Sequence, residues 1–379
     1  MENFYNLTED QLSLQEMVRD FARKELAPVV AECDVKGEFP MDVYKKIVEI
    51  GVNAMFIPEE FGGLGLDQKT ICVIREELGR VDTGFAITVG SSALAYTPVS
   101  LAGTDEQKKM IAEHIVNGGF AAYALTEPDG GSDAGHPHTT AKKVGDEWVI
   151  NGRKCFITNA PFANIFVVFA STDPTQGSRG VTAFLVERDR EGVSIGAHEN
   201  KMGIRLSQTS DVVFDEVHVP ADHMLGAEGA GFKLAMNTLN ITRPAGSATV
   251  VGLMQNCVDL CIKYAKERVV FGKPISKFQA VQFMIADMQT KTMAARLMVH
   301  HAADCIDRGI ASPVVGACTK CFCGDSAVEV ASNAIQVYGG YGYSRDYPVE
   351  KLLRDAKIYQ IFEGTNQIQR MTIAGNLLK

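Results

Sequence analysis

The spacing of apolar residues changes period twice along this chain, and no fold built from one kind of element accommodates that. Over residues 1–120 the spacing is helical. Thr8 with Gln11 forms a capping box, and Leu14, Met17, Val18 and Phe21 follow at helical intervals until Pro28. A second helix is expected between Phe39-Pro40 and Gly51, a turn-rich connector over Pro58–Gly65, and helices again from about Asp67. Thr104 with Gln107 repeats the capping box. Then come short β-like runs: Phe120 to Thr126, Glu147 to Arg153, Asn164 to Ser171, Val181 to Glu187 and Asp211 to Val219. The last nearly alternates, with a slip at Asp215-Glu216 that reads as a bulge. No helix-length pattern separates these runs, which predicts an antiparallel barrel or sandwich rather than a βαβ sheet. From Gly229 the helical period returns, with Val250, Met254, Cys257, Val258, Cys261 and Ala265 on one face, and long helices joined by short turns predict a bundle. The expected fold class is α+β. An N-terminal helical domain spans 1–120, a middle antiparallel β-barrel or sandwich domain 121–228, and a C-terminal four-helix-bundle-like domain 229–379.

Bulk properties narrow the function classes. With 379 residues, 46% hydrophobic and 22% charged, the chain supports a sizeable core. A net charge of −9 argues against nucleic acid or an anionic membrane as a standing partner, while leaving room for an anionic ligand in a local basic pocket. No run of about eighteen apolar residues occurs, so no membrane span is expected. Met1-Glu2-Asn3-Phe4 has neither a signal-peptide nor a transit-peptide layout, which predicts a cytoplasmic enzyme. Nine scattered cysteines in a chain of this size predict reduced thiols. Cys318-Thr319-Lys320-Cys321 with Cys323 imitates a metal motif but lacks a second ligand pair and lies on a helix-like stretch, so core packing and no metal are expected. His300-His301 with Cys305 reads the same way.

The densest chemistry lies in Tyr359-Gln360-Ile361-Phe362-Glu363-Gly364-Thr365-Asn366-Gln367. Upstream, Pro348 starts a helix whose apolar face is Val349, Leu352, Leu353 and Ala356, and Gly364 breaks it. A carboxylate at such a break, backed by Ile361 and Phe362, is desolvated and raised toward the pKa of a general base. The blander reading is a solvated surface Glu. Three further segments offer recognition chemistry. Thr126-Glu127-Pro128-Asp129-Gly130-Gly131-Ser132-Asp133 ends a strand in a hydroxyl-bearing glycine loop that suits a flavin edge or a phosphate, or is a plain hairpin turn. Phe156-Ile157-Thr158-Asn159 pairs an aromatic ring with a hydroxyl, or is a plain strand end. Arg268 closes a long helix before Phe271-Gly272-Lys273-Pro274, either for dipole reasons or to clamp a pyrophosphate. No G-x-G-x-x-G follows a strand and no Walker lysine occurs, so a bound dinucleotide would not occupy a Rossmann site.

Taken in order, Thr126-Glu127-Pro128 with Gly131-Ser132-Asp133, Phe156-Ile157-Thr158-Asn159, Arg268 with Phe271-Gly272, Phe278-Gln279, Gln336 with Gly339-Gly340, and Glu363-Gly364-Thr365 with Gln367 resemble the acyl-CoA dehydrogenase family from end to end. The family's α–β–α architecture agrees with the period changes. The resemblance implies FAD, held non-covalently in a homotetramer arranged as a dimer of dimers. Tyr123, Leu125, Thr126, Ser132, Phe156 and Thr158 would line the flavin, with Phe156 where many members have Trp. Arg268, Phe271, Gln279, Gln336 and Gly340 would come from a neighbouring subunit to the pyrophosphate and adenosine, and Thr365 and Gln367 would also touch the cofactor. Acyl-CoA would meet Ser132, Arg243 and Gly364, and Asn240 stands where the family usually has Asp. Glu363 would abstract the α-proton while hydride passes to flavin N5, giving a trans-2-enoyl-CoA, with electrons leaving to electron-transferring flavoprotein.

Between Arg80 and Lys108 there is no Lys or Arg, and by resemblance this segment, with Phe85, Thr88, Ser91, Leu94 and Tyr96, lines the acyl end. A dicarboxylyl-CoA such as glutaryl-CoA needs a cation there. A neutral short-to-medium acyl chain is therefore expected, with branched or cyclic chains open. The same site run in reverse is an enoyl-CoA reductase. An oxidase of this superfamily is usually much longer, and a catalytically silent flavin or CoA scaffold sits poorly with an intact Glu363-Gly364-Thr365.

Overall fold

The computed structural model describes residues 5–379, so the Met1–Phe4 stretch read for targeting lies outside the described residues. The Thr8–Gln11 capping box opens α1 (Glu9–Phe21), with both reciprocal hydrogen bonds present. Helical structure does not stop at Pro28 as expected. A π-helical turn, Ala22–Leu26, carries the chain into α2 (Ala27–Lys36), and Pro28 falls in the first turn of that segment, where its missing N–H costs little. Then follow α3 (Met41–Glu49), α4 (Gln68–Val81), α5 (Thr83–Ala102) and α6 (Asp105–Val116), the last opened by the Thr104–Gln107 box.

Eight strands come next: β1 (Phe120–Ala124), β2 (Thr140–Val144), β3 (Glu147–Thr158), β4 (Ala163–Ser171), β5 (Val181–Glu187), β6 (Val193–His198), β7 (Thr209–Pro220) and β8 (Met224–Leu225). They form one sheet in the order β6-β7-β3-β2-β4-β5-β8, with β1 added against β4. Its pairs are antiparallel except β1–β4 and the single Thr140–Ser171 bridge between β2 and β4. β1 arrives from α6 rather than from a hairpin, so nothing reverses its direction relative to β4. The slip at Asp215-Glu216 is a bulge opposite Asn151, whose side chain accepts from Glu216 N–H at 2.8 Å, with Glu216 at φ 51. β4 explains a run too apolar to alternate. Ile165, Val167 and Phe169 enter one core cluster while Phe166, Val168 and Ala170 enter the other, so both faces are buried.

The C-terminal bundle contains α7 (Gly231–Glu267), the two-residue strands β9 (Val269–Val270) and β10 (Lys273–Pro274), α8 (Gln279–Asp307), α9 (Pro313–Tyr338), α10 (Val349–Lys357) and α11 (Asn366–Leu377). α4 crosses α7 at very short range: a Cβ on Gly79 would lie 2.2 Å from the Thr249 carbonyl oxygen, and one on Gly252 2.1 Å from that of Glu76. Only glycine permits this approach. The crossing clamps the first helical layer onto the bundle and brings the α4 side chains one turn from Gly79 against α7. α5 and α7 are long and apolar enough to cross a membrane by length and composition, with 61% and 72% of their most apolar windows buried inside the protein.

Candidate active site

α10 ends at Lys357, and a single 3₁₀ turn, Ile358–Gln360, leads to Glu363, so the helix stops well before Gly364. Glu363 and Gly364 are consecutive left-handed residues, at φ 54 and φ 86. For a non-glycine residue this costs roughly 1–3 kcal/mol and persists only where neighbours impose it. The neighbours are Lys320 and Gln369. Lys320 Nζ donates to Gly364 O at 2.7 Å and to Asn366 Oδ1 at 3.0 Å, while Gln369 Nε2 donates to Gly364 O at 2.9 Å and Glu363 O at 3.2 Å. Glycine is required at 364 for φ, and a Cβ there would also fall 2.7 Å from Gln369 Nε2 and displace that amide.

The Glu363 carboxylate points at α7, where a Cβ on Gly246 would lie 2.7 Å from its Oε2. Among the described residues it has no hydrogen bond or ion pair, and its backbone N–H donates to nothing. The side chain retains some solvent access while protein surrounds it deeply, the situation of a group on a cleft floor. Burial raises its carboxyl above the ordinary 4.5, opposed in turn by Arg75, Lys320 and Arg243. Replacing Gly246 by Ala is expected to push the carboxylate aside, lowering kcat about tenfold or more while the unfolding midpoint moves little. An unchanged kcat would show the carboxylate is free to shift.

Arg243, 4% exposed on α7, donates from Nη1 to Asn240 Oδ1 at 2.8 Å and has a buried, unpartnered Nε. Its Nη2 is 3.7 Å from where a Gly364 Cβ would stand, so Arg243, Asn240 and Gly364 do meet. Asn240, in place of Asp, is a partner of Arg243. Ser132 is exposed in its loop. Thr365 Oγ1 accepts from Ile368 N–H at 3.2 Å and caps α11, which engages the hydroxyl locally, and Gln367 is exposed.

A second cluster joins β1 to β3. Cys155 N–H donates to Thr126 O at 2.9 Å, and Lys154 Nζ donates to Leu125 O at 3.1 Å and Glu127 Oε1 at 2.7 Å. Glu127 also accepts from the backbone N–H groups of His138 at 2.6 Å and Thr139 at 3.0 Å. Beside this frame the Phe156 ring, 63% exposed at φ 56, stands near the open end of the loop. The hydroxyls of Thr126, Ser132 and Thr158 have no hydrogen-bond partner among the described residues. Tyr123 packs its ring on Phe169 at 4.9 Å between centroids. An open aromatic face with free hydroxyls beside a glycine loop fits a planar ring system with polar edges, as a flavin is. A third cluster occupies the tips of α7, α8 and α9. Arg268 lies over the Tyr341 ring at 5.1 Å, Phe271 is 93% exposed at φ 50, and Gln279, Gln336 and Gly340 are exposed around them. A cavity of about 970 Å³ lies elsewhere, and several of the cations that line it are paired, such as Arg19 with Glu77 and Arg354 with Asp34.

Sequence reasoning passed over Arg75, Lys320, Lys154 and Gln369. For the first two the signal was present: Arg75 shares a helical face with Ile71, Ile74 and Leu78, and Lys320 shares one with Cys323 and Ala327. A cation in a core position needs a reason. The expectation of a neutral acyl end rested on the absence of a cation between Arg80 and Lys108. The segment between Arg80 and Lys108 carries none, yet α4 supplies one from alongside, with Arg75 against Gly90 of α5. The nine cysteines are free, and among the described residues no group of three His, Cys, Asp or Glu side chains could hold a metal ion.

Comparison with known proteins agrees with this architecture. The N-terminal, middle and C-terminal domain models of acyl-CoA dehydrogenases match residues 8–119, 122–217 and 229–378. A 3-(aryl)acrylate reductase of Clostridium sporogenes is 42% identical, over 98% of this chain and 99% of its own. Butyryl-CoA dehydrogenase from Megasphaera elsdenii superimposes with a TM-score of 0.96 at 40% identity, over 100% of both chains. A chain solved in work on the electron-transferring flavoprotein of Acidaminococcus fermentans superimposes with a TM-score of 0.96 at 44% identity, also over 100% of both. The fold and site thus define a flavoprotein oxidoreductase acting on CH–CH groups. This chain belongs to the acyl-CoA dehydrogenase family.

Proposed function

We propose that this chain interconverts a short acyl-CoA and its trans-2-enoyl-CoA, with FAD as cofactor and Glu363 as the base. The observation that carries this reading is the desolvated Glu363 carboxylate, held at φ 54 with its own N–H unengaged. An α-C–H of a thioester is a weak acid until the carbonyl is polarised. The Glu363 N–H donates to that carbonyl oxygen, and one such donor is worth about 3 kcal/mol. The Glu363 carboxylate then takes the α-proton, and the surrounding side chains keep water from the developing charge. When bound, FAD supplies the acceptor for the β-hydrogen, which leaves as hydride.

Tyr123, Leu125, Thr126, Ser132, Phe156 and Thr158 hold the ring system. Arg268, Phe271, Gln279, Gln336 and Gly340 serve the pyrophosphate and adenosine of a neighbouring subunit in a homotetramer, and their exposure at the helix tips supports this. Thr365 and Gln367, at the start of α11, would help hold the cofactor, and Arg243, bonded to Asn240 beside Gly364, would bind the thioester. The division at 1–120, 121–228 and 229–379 sets the flavin cleft between β-domain and bundle. Electrons pass to electron-transferring flavoprotein, a partner that the Acidaminococcus relative supports, and this reading places the reaction in the cytoplasm. The arylacrylate reductase relative favours a second reading, in which the same residues run toward enoyl reduction and Glu363 returns the proton.

Anaerobic addition of butyryl-CoA or another saturated acyl-CoA should bleach the flavin. A protein that takes up no FAD, or whose flavin no acyl-CoA reduces, would sink the proposal. Because Glu363 must be ionised to act and its pKa is raised, the rate of reduction should fall with falling pH at a value above 4.5. An acid limb at or below that value would mean that another group is the base.

A further inference from the structure

Arg75 is a buried cation that the proposed chemistry leaves unused. It is 8% exposed on α4 and lies on that helix's buried face. The Gly79–Thr249 crossing holds α4 against α7, and Arg75 Nε donates to Thr249 Oγ1 at 3.2 Å. Neither Nη nitrogen has a hydrogen-bond or ion-pair partner among the described residues. The guanidinium carries four further N–H donors there, on nitrogens not sealed from solvent, so an incoming acceptor can reach them. Gly90 of α5 keeps space for them, since a Cβ at that position would lie 2.2 Å from Nη1. Tyr359, 3% exposed, adds a hydroxyl that also has no partner. Arg75 and Glu363 both influence the Tyr359 hydroxyl, and Arg75 is the foremost cation felt by Glu363.

Distance relates these groups to the reacting carbon. Glu363 meets α7 at Gly246, and Arg75 meets it at Thr249, one turn further on. The rise over that turn is about 4.5 Å. A group paired with Arg75 therefore lies only a few carbons beyond the one that Glu363 deprotonates. Glu363 itself does not satisfy the cation, because the two form no ion pair.

We propose that the acyl group this site takes ends in a carboxylate, making the substrate a short dicarboxylyl thioester whose distal carboxylate is held by Arg75 and the Tyr359 hydroxyl. This rests on the reading of Glu363 as the base at the thioester end. A guanidinium receives a carboxylate through two parallel N–H donors, and a neutral tail would displace the water around it without replacing those bonds.

The test pairs glutaryl-CoA with the neutral valeryl-CoA of equal length on the FAD-loaded protein, read as anaerobic flavin bleaching and as Kd by calorimetry. The wild type should favour glutaryl-CoA by about ten- to a hundredfold in both. Arg75→Met should abolish or invert that preference, and Arg75→Lys should restore part of it. Gly90→Ala keeps the charge but displaces the guanidinium, and should act like Arg75→Met. A wild type that favours valeryl-CoA, or a ratio indifferent to Arg75→Met, overturns the proposal. Should neither thioester bleach the flavin, the Glu363 reading fails, and the calorimetric ratio still decides the role of Arg75.

Discussion

Glu363→Gln should yield a protein that retains FAD and binds acyl-CoA yet reduces its flavin roughly 10²–10⁴-fold more slowly, the usual loss when a positioned base is removed. The amide keeps the shape of the side chain, so Gly246 and the Lys320–Gln369 clamp on the turn should be undisturbed. The backbone N–H at position 363 also survives, and carbonyl polarisation with it, so binding should change far less than the chemical step. Rapid-mixing measurement of flavin bleaching under anaerobic conditions separates the two. The reading is lost if Glu363→Gln reduces its flavin within a few-fold of the wild type, for the proton would then go elsewhere. Asp at the same position should recover little, because the turn aims a carboxylate of one length at one place.

Lys154→Met should cost about 3–5 kcal/mol, the largest loss of stability expected from a single substitution away from the reacting groups. Lys154 is 0% exposed and Glu127 6%, so removing the cation leaves a carboxylate buried with only the His138 and Thr139 N–H groups to hold it. Burial pulls the Lys154 ammonium down to about 8, whereas the donors around Glu127 outweigh its own burial and hold it below its ordinary value. The pair is ionised near neutral pH, held so by the donors gathered on Glu127. Because the Glu127 value is depressed, its contribution is present above the unfolded carboxylate value near 4.5 and is lost as pH falls through the lower folded value. Lys154 also holds the Leu125 carbonyl, so the variant should release FAD more readily than its stability loss alone explains. Urea unfolding together with FAD titration checks this. The pairing carries no such weight if Lys154→Met unfolds at the wild-type midpoint. Lys154→Met with Glu127→Gln should be less damaged than Lys154→Met alone, since no buried charge remains.

Much of the architecture was legible in local pattern. Both capping boxes, the helical faces of α7 and α10, the β4 run and the bulge at Asp215-Glu216 follow from residues within one element, and spacing reports such neighbours directly. β2, β6 and β8 escaped notice. β2 carries Lys142 and Lys143, β6 is largely exposed, and β8 has two residues, so neither strong apolar alternation nor length marked them. The direction of β1 was also missed, since a strand's own residues do not record which neighbour it will join.

On its own, the sequence determined the order of helical and β regions, the ordered motifs that mark the family, and Glu363 as the carboxylate to watch, because each is written within a few consecutive residues. The tertiary structure alone decided the surroundings of that carboxylate: Arg75 from α4, Gly246 and Arg243 from α7, and Lys320 from α9. Those residues are far apart in the chain, and Arg75 reaches the group because glycines let α4 and α7 cross at close contact. Desolvation and charge proximity, which set what Glu363 can do, are properties of that meeting in space.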